Sequence, residues 1–258
     1  MICWLRLKQV VVLQSLIKTF WLLYAPVALF LGFAALAVLC AVWLPFALFF
    51  YTVLPKRTGH YFGRLVIRLG LSFYLLFLTL FCGCRFKLNL ESERNVKGTS
   101  ILIANHPSLL DAVIFLAKVP NTICVMKASL LDNPLFGAAA KLAGFIRNAD
   151  PFSLLAYAKE AVGEDANLLL FPEGTRTPDD SPICINQSPA LLASRLNIPI
   201  RTFFLRYDQP FLGKRRRLNA LPSLPITISL TCGDIFMPSN DYSALTKELE
   251  SYFNQQQL

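Results

Sequence analysis

The chain has 258 residues, 55% of them hydrophobic and 16% charged, with a mean hydropathy of +0.49; this excludes both a disordered chain and an ordinary soluble domain with no membrane-facing part. The formal net charge is +9, but nine of the 25 cations (Arg6, Lys8, Lys18, Lys56, Arg57, Arg64, Arg68, Arg85 and Lys87) lie in residues 1–90, where there is no Asp or Glu. The remaining cations balance the 16 acids, so no region carries the basic excess of a nucleic-acid-binding domain, and no nucleic-acid partner is expected.

At the N-terminal end, Phe20 to Leu54 is a run of 35 residues without a charge, closed by Lys18 before it and Lys56 and Arg57 after it. One straight helix of that length is about 52 Å long, against a hydrocarbon core of about 30 Å. A bend near Pro26, Gly32 or Pro45 is therefore expected. A second apolar run, Leu69 to Cys84, is short for a spanning helix. All three flanks of these runs are basic, which places them on the cytoplasmic side and favours an anchor that enters and returns over one that crosses. Residues 1–84 are read as this helical membrane anchor and residues 85–258 as a catalytic domain on the cytosolic face, at the inner membrane if the source is bacterial.

After Leu90 the pattern changes to short apolar runs separated by segments of helical period. Strands are expected at 85–90, 100–104, 122–126, 166–171, 198–206 and 225–231. Helices are expected at 107–118, 134–143, 152–162, 189–196 and 242–253. Such alternation predicts an α/β domain, a mixed sheet flanked by helices. The seven Cys are an odd number without a C-x-x-C pair, and His occurs only at 60 and 106. Buried thiols in a reducing compartment fit this usage better than a disulfide framework, and no metal or cofactor is expected.

The first strand inside the domain runs into Asn105-His106-Pro107-Ser108-Leu109-Leu110-Asp111. His106 falls where a strand end delivers its side chain to the edge of an open sheet. Asp111, five residues on, can reach back to one ring nitrogen and leave the other free to take a proton from a hydroxyl. Ser108-x-x-Asp111 also reads as a helix-capping pair, so on this motif alone the two readings stand level. A later strand runs into Phe171-Pro172-Glu173-Gly174-Thr175-Arg176, where Gly174 permits a tight turn towards the same sheet edge.

Together the two motifs resemble the glycerolipid or lysophospholipid acyltransferases of the 1-acylglycerol-3-phosphate acyltransferase type. The N-H-x-x-x-x-D signature is matched by Asn105, His106 and Asp111, the F-P-E-G-T-R signature by 171–176, and a weaker hydrophobic-Pro-hydrophobic element by Ile198, Pro199 and Ile200. The resemblance spans about residues 85–232. It implies His106 as general base with Asp111 as its partner. It also implies that Asn105, Glu173, Gly174, Thr175 and Arg176 help hold the acceptor, with a membrane lipid as acceptor and an acyl-CoA or acyl-carrier-protein thioester as donor. No serine elbow or phosphate loop is present, against serine hydrolases and P-loop kinases.

Two departures bear on the acceptor. Asp150 stands where the family often has an Arg, which leaves Arg147 as the candidate acceptor cation. Asn186 and Gln187 stand where the family often has a Lys. The expected activity is therefore O-acyl transfer to a lipid hydroxyl of the 1-acylglycerol-3-phosphate type. The alternatives are a phosphate-free acceptor such as a glycolipid, or an inert lipid-binding adaptor on the same fold. The run Lys214-Arg215-Arg216-Arg217 reads as a solvated loop, or as a contact for anionic headgroups or an acidic carrier protein. The oligomeric state is left open.

Overall fold

The computed structural model describes residues 2–90, 98–148, 151–177 and 182–256. Two long helices open the chain, α1 (Ile2–Val53) and α2 (Lys56–Phe81). The bend expected inside the first apolar run is absent, because α1 continues through both Pro26 and Pro45. A long apolar helix tolerates the missing N–H groups of internal prolines. The reversal falls instead at Leu54-Pro55, where Pro55 takes φ −55 and ψ 140 and caps α2; the ring of a proline disfavours helix in the residue before it. The second apolar run is also longer than its uncharged core suggests. α2 takes in Arg57, Arg64 and Arg68 and reaches 26 residues.

The hairpin is closed by antiparallel contacts. Tyr24 Oη donates to Phe81 O at 2.8 Å and Tyr74 Oη to Gly32 O at 3.1 Å, while Trp43, Phe50 and Phe62 pack ring against ring. Gln14–Val53 and Lys56–Phe81 are both long and apolar enough to cross a membrane. Leu22, Leu23 and Phe30 on α1 are more than 70% exposed, and Phe73 and Leu80 on α2 about two-thirds exposed.

The rest of the described chain forms β1 (Cys84–Asn89), β2 (Ile101–Ala104), α3 (Asp111–Lys118), β3 (Thr122–Met126), α4 (Ala128–Leu131), α5 (Gly137–Leu142), β4 (Ile146–Arg147), α6 (Pro151–Gly163), β5 (Asn167–Leu170), α7 (Ser188–Leu196), β6 (Ile200–Tyr207), β7 (Ile226–Phe236) and α8 (Tyr242–Gln255). The seven strands make one mixed sheet in the order β1-β7-β6-β2-β5-β3-β4, parallel throughout except for β6 against β7. β4 and α4 are too short to leave a periodic signal and were not expected from the sequence. β7 runs five residues past its expected end. It passes a register irregularity at Arg201/Phe203 on β6, and Gly233 lies so close to Thr202 and Phe204 that no Cβ fits there.

Alternation along the central strands sorts the core into two layers. Ile101, Ile103, Leu168, Leu170, Ile200 and Phe204 face α6, α7 and α8. Leu102, Ala104, Leu169, Phe203 and Leu205 face α3 and the hairpin, which contributes Tyr74, Leu75 and Leu78 from α2. The later turns of α2 thus cover this face of the sheet, while its first turns pack at the end of α5, with Gly63 against Leu142 and Ala143. Mid-helix Ser72 Oγ donates to Ala117 O at 2.9 Å.

The N-terminal turns of α2 are held by charge. Glu164 accepts from Arg64 Nη1 at 2.9 Å through one oxygen, and its other oxygen lies 2.8 Å from His60 Nδ1. The Arg64 and Glu164 side chains are only 3% and 8% exposed, and Arg64 Nε also donates to Asn121 Oδ1 at 2.7 Å. A buried charge left without its partner costs about 3–5 kcal/mol, whereas an exposed pair is worth about 1 kcal/mol or less. Glu164→Ala is therefore expected to lower unfolding stability in detergent by about 3–5 kcal/mol. Lys56→Ala, which breaks only the exposed pair with Glu160, should cost no more than about 1 kcal/mol in the same denaturant titration.

Candidate active site

Three adjacent parallel strands, β6, β2 and β5, end at one edge of the sheet. β2 delivers His106, β5 runs into Phe171–Arg176, and β6 ends on Tyr207. Asn105 holds the first of these crossings in register: its Nδ2 donates to Leu205 O and its Oδ1 accepts from Leu205 N, both at 2.8 Å. Its amide is thereby spent mainly on the β6 backbone.

His106 Nδ1 lies 2.8 Å from Asp111 Oδ2. Asp111 is fully buried and also accepts from Ser108 N at 2.7 Å and from Tyr207 Oη at 2.5 Å. Ser108 does not cap α3, whose N-cap is Leu110 without a side-chain bond; Ser108 and Asp111 instead close the turn before it. The same carboxylate ties the turn that starts α3 and receives the imidazole. Burial pushes the Asp111 carboxyl up from its ordinary value, and the hydrogen bonds from His106, Tyr207 and Ser108 act against that rise. Burial, reinforced by the Asp111 charge, holds the Tyr207 hydroxyl well above its ordinary value. Tyr207 therefore keeps its proton and remains a donor. A carboxylate can only accept, so the imidazole proton belongs on Nδ1 and Nε2 is free to accept another. The ring is further fixed by stacking on Phe171, with centroids 4.0 Å apart and planes at 18°.

Thr177 joins the two motif loops. Its Oγ1 accepts from His106 N at 2.9 Å and donates to Glu173 Oε1, and its own N–H donates to His106 O at 2.7 Å. Burial raises the Glu173 carboxyl, opposed by the hydrogen bond from Thr177 and by the neighbouring His106 and Lys214. Gly174 turns the loop at φ +66, a region that L side chains rarely adopt. A Cβ there would meet only Asn186 Nδ2, at 3.9 Å, so backbone conformation and not space calls for the glycine. Thr175 and Arg176 are half-buried. Arg176 turns its Nη1 to Leu212 O and Gly213 O, both at 2.9 Å.

His106, Asp111, Asn105 and residues 173–176 are thus gathered within one pair of loops, whereas Arg147 is not. It ends β4, three strands from β2, about 14 Å across the sheet, and makes an exposed ion pair with Asp132 at 2.7 Å. Asp150 lies outside the described residues. Pro199 of the third matched element lies at the far end of the strands, where its carbonyl starts the β2–β6 ladder by accepting from Ile101 N at 2.9 Å. Tyr207 and Thr177 were missed in the sequence. Thr177 directly follows the second motif, but nothing local marks Tyr207, which meets Asp111 across 96 positions.

A family model described as Acyltransferase matches residues 85–206, from β1 to β6. The 1-acyl-sn-glycerol-3-phosphate acyltransferase of Limnanthes alba is 26% identical over 222 residues, covering 81% of this chain and 73% of that protein. The one of Helicobacter pylori is 28% identical over 176 residues, covering 58% and 74%. In fold, the chain is similar to the crystal structure of the 1-acyl-sn-glycerophosphate (LPA) acyltransferase of Thermotoga maritima. That similarity has a TM-score of 0.68 at 17% identity over 90% of this chain and 95% of that one. The two motif loops fused through Thr177 lie wholly inside the matched segment, and over it the chain is similar to acyltransferases of the 1-acyl-sn-glycerol-3-phosphate type.

Proposed function

We propose that the chain transfers an acyl group from a thioester, acyl-CoA or acyl carrier protein, to a hydroxyl of a 1-acylglycerol-3-phosphate-type lipid at the cytosolic face of a membrane, with His106 as general base. The observation that carries this reading is the His106–Asp111 pair at 2.8 Å, with Nε2 unengaged among the described residues, beside the Glu173 loop and a hairpin of two long apolar helices. In the reaction, Nε2 takes the acceptor hydroxyl proton while the oxygen bonds to the thioester carbonyl carbon. The C–S bond then breaks, and the thiolate leaves with the proton returned from the imidazolium. A thioester already has a good leaving group, so direct attack needs no nucleophile from the enzyme. Asp111 orients the ring and stabilises its cation, Tyr207 and Ser108 N orient Asp111, and Glu173 with Thr177 fixes the loop that faces the acceptor.

The membrane role divides the chain into an anchoring hairpin, 1–84, and an acyltransferase domain, 85–258. Support for an anchor that stays on one side comes from α2. Its start is tied to the end of α6 by Lys56, Arg57, His60 and Arg64, and its later turns pack on the sheet. Position 60 therefore shares a side with His106. α1 is left as the element with a broad apolar surface for lipid.

Three outcomes test this. His106→Ala should fold normally and lose about 100- to 10,000-fold in turnover with a lysophosphatidic acid acceptor and a thioester donor; near wild-type turnover would remove His106 from the mechanism. Tyr207→Phe takes a donor from a buried carboxylate and should cost about 1.5–3 kcal/mol in denaturant unfolding. In sealed membrane vesicles, a cysteine placed at exposed Tyr61 should label only from the side on which the catalytic domain lies. Labelling of that position from the opposite side would overturn the one-sided topology.

A further inference from the structure

The two oxygens of Asp111 are held differently. Among the described residues Oδ2 accepts from Ser108 N at 2.7 Å and from the His106 ring at 2.8 Å, whereas Oδ1 accepts from Tyr207 Oη alone, at 2.5 Å. Asp111 has no exposure to solvent, so water cannot stand in for a lost donor. Tyr207 is the last residue of β6, and its backbone is paired with Ile228 of β7. The next residue closes that ladder, with Asp208 N donating to Thr227 O at 3.1 Å and Thr227 N to Asp208 Oδ1 at 2.8 Å. The hydroxyl is therefore placed by the sheet and by neither motif loop.

Each hydrogen bond donated to a carboxylate stabilises its charge and makes it a weaker acceptor for the other donors. The more firmly Tyr207 binds Oδ1, the less Asp111 favours an imidazolium at Oδ2. The other ionisable groups around this cluster are Cys84 on β1, Tyr74 and Cys82 on the hairpin side, and Glu173, Arg176 and Lys214 in the loops. Tyr74, Cys82 and Cys84 line one crevice with Leu110. Burial pushes the Cys84 thiol up to about 12, and all three are uncharged near neutral pH. Glu173 meets His106 through Thr177, Arg176 Nη1 is turned to Leu212 O and Gly213 O, and Lys214 acts on the Glu173 carboxyl. Among the described residues none of these six donates to Asp111. Tyr207 is the one side chain besides the histidine that does.

Resting on the acyl-transfer reading above, we propose that Tyr207 is a positioning residue that tunes the base: by holding Asp111 Oδ1 it limits how tightly the carboxylate keeps a proton on the imidazole. It thereby sets the pH above which Nε2 can take the acceptor hydroxyl proton. Without this donor, the whole demand of the buried carboxylate falls on Ser108 N and the ring. The imidazolium is then favoured and the free base forms only at higher pH.

The test uses the full-length protein in detergent micelles and two changes of opposite sign. In Tyr207→Phe the acidic limb of kcat/KM against pH should move up by about one unit, a 10-fold tighter hold on the proton. Turnover should fall about 10-fold below the limb and recover towards wild type above it. A ring-fluorinated tyrosine at position 207 has a hydroxyl that donates more strongly, and should move the limb down. A tyrosine that only filled space would, on removal, lower the profile at every pH and leave the limb in place. A limb unmoved in both proteins, or moved down in Tyr207→Phe, overturns the proposal. The fluorinated protein keeps every contact, so its limb decides the matter if Tyr207→Phe is too unstable to assay. Titration of the imidazole needs no turnover. His106 is one of only two histidines, so in protein with isotope-labelled histidine its ring resonances are those missing from His106→Ala. Their pH midpoint should be higher in Tyr207→Phe than in wild type and lower in the fluorinated protein. Such shifts support the tuning role even if wild type acylates no lysophospholipid, the result that would count against the acyl-transfer reading alone; an unchanged midpoint rejects the tuning role.

Discussion

A single carboxylate, Asp111, held entirely out of water, is the constraint on which the sheet edge depends. Removing an ionised carboxylate from water is strongly unfavourable unless its oxygens are met by donors. Asp111 meets that demand with three: Ser108 N, Tyr207 Oη and the His106 ring. Each comes from a different piece of backbone, the α3 turn, the end of β6 and the end of β2. Satisfying the charge therefore fixes the imidazole's rotation and proton position and the relative placement of these three pieces together. Phe171 completes the constraint from the β5 side by stacking on the same ring.

Thr177 plays a parallel role one layer out. By accepting from His106 N and donating to Glu173, it makes the two motif loops one unit, so a displacement of either is felt by the other. This coupling gives a physical reason for two short motifs 67 positions apart to act together. It also separates residues that hold the site from those free to touch a ligand. Asn105 is committed to the β6 backbone and Arg176 Nη1 to the loop after it, whereas His106 Nε2 has no hydrogen bond among the described residues.

The hairpin is joined to this machinery and is not a detached tether. Tyr74, Leu75 and Leu78 of α2 lie in the same apolar layer as Leu102 and Phe203 of the central strands. The Arg64–Glu164–His60 cluster secures the other end of α2. Its charges are buried, so any rotation of α2 away from the sheet would strand Arg64 or Glu164 without a partner. The exposed apolar surface and the surface that builds the core are thus opposite faces of one pair of helices. The active-site edge is held at a fixed position relative to both.

Much of this was legible in the sequence because it is local or periodic. Alternating apolar runs announced the α/β sheet, and β2, β3 and β6 fall close to their expected spans. The long uncharged run in the acid-free first 90 residues announced a helix long and apolar enough to cross a membrane. His106 and Asp111 are five residues apart, close enough for a strand–turn–helix to bring them together, and the Phe171–Arg176 turn carries its own glycine. What the sequence left undecided involves choices made across the sheet. Strand order is not encoded in any single segment, so the placing of β6 beside β2, which brings Tyr207 to Asp111, could not be read from a strand that ends in Tyr like many others. The same holds for Arg147, which only the position of β4 at the sheet edge separates from the histidine. The bend of the first helix was misplaced for a related reason: proline removes a local hydrogen bond, but whether a long apolar helix turns there or runs on is decided by what it packs against, and α1 runs antiparallel along α2 from Tyr24 to Trp43. Local chemistry thus determined which groups are present and what each can do, and the tertiary structure alone decided which of them meet, because burial and strand pairing act between residues far apart in the chain.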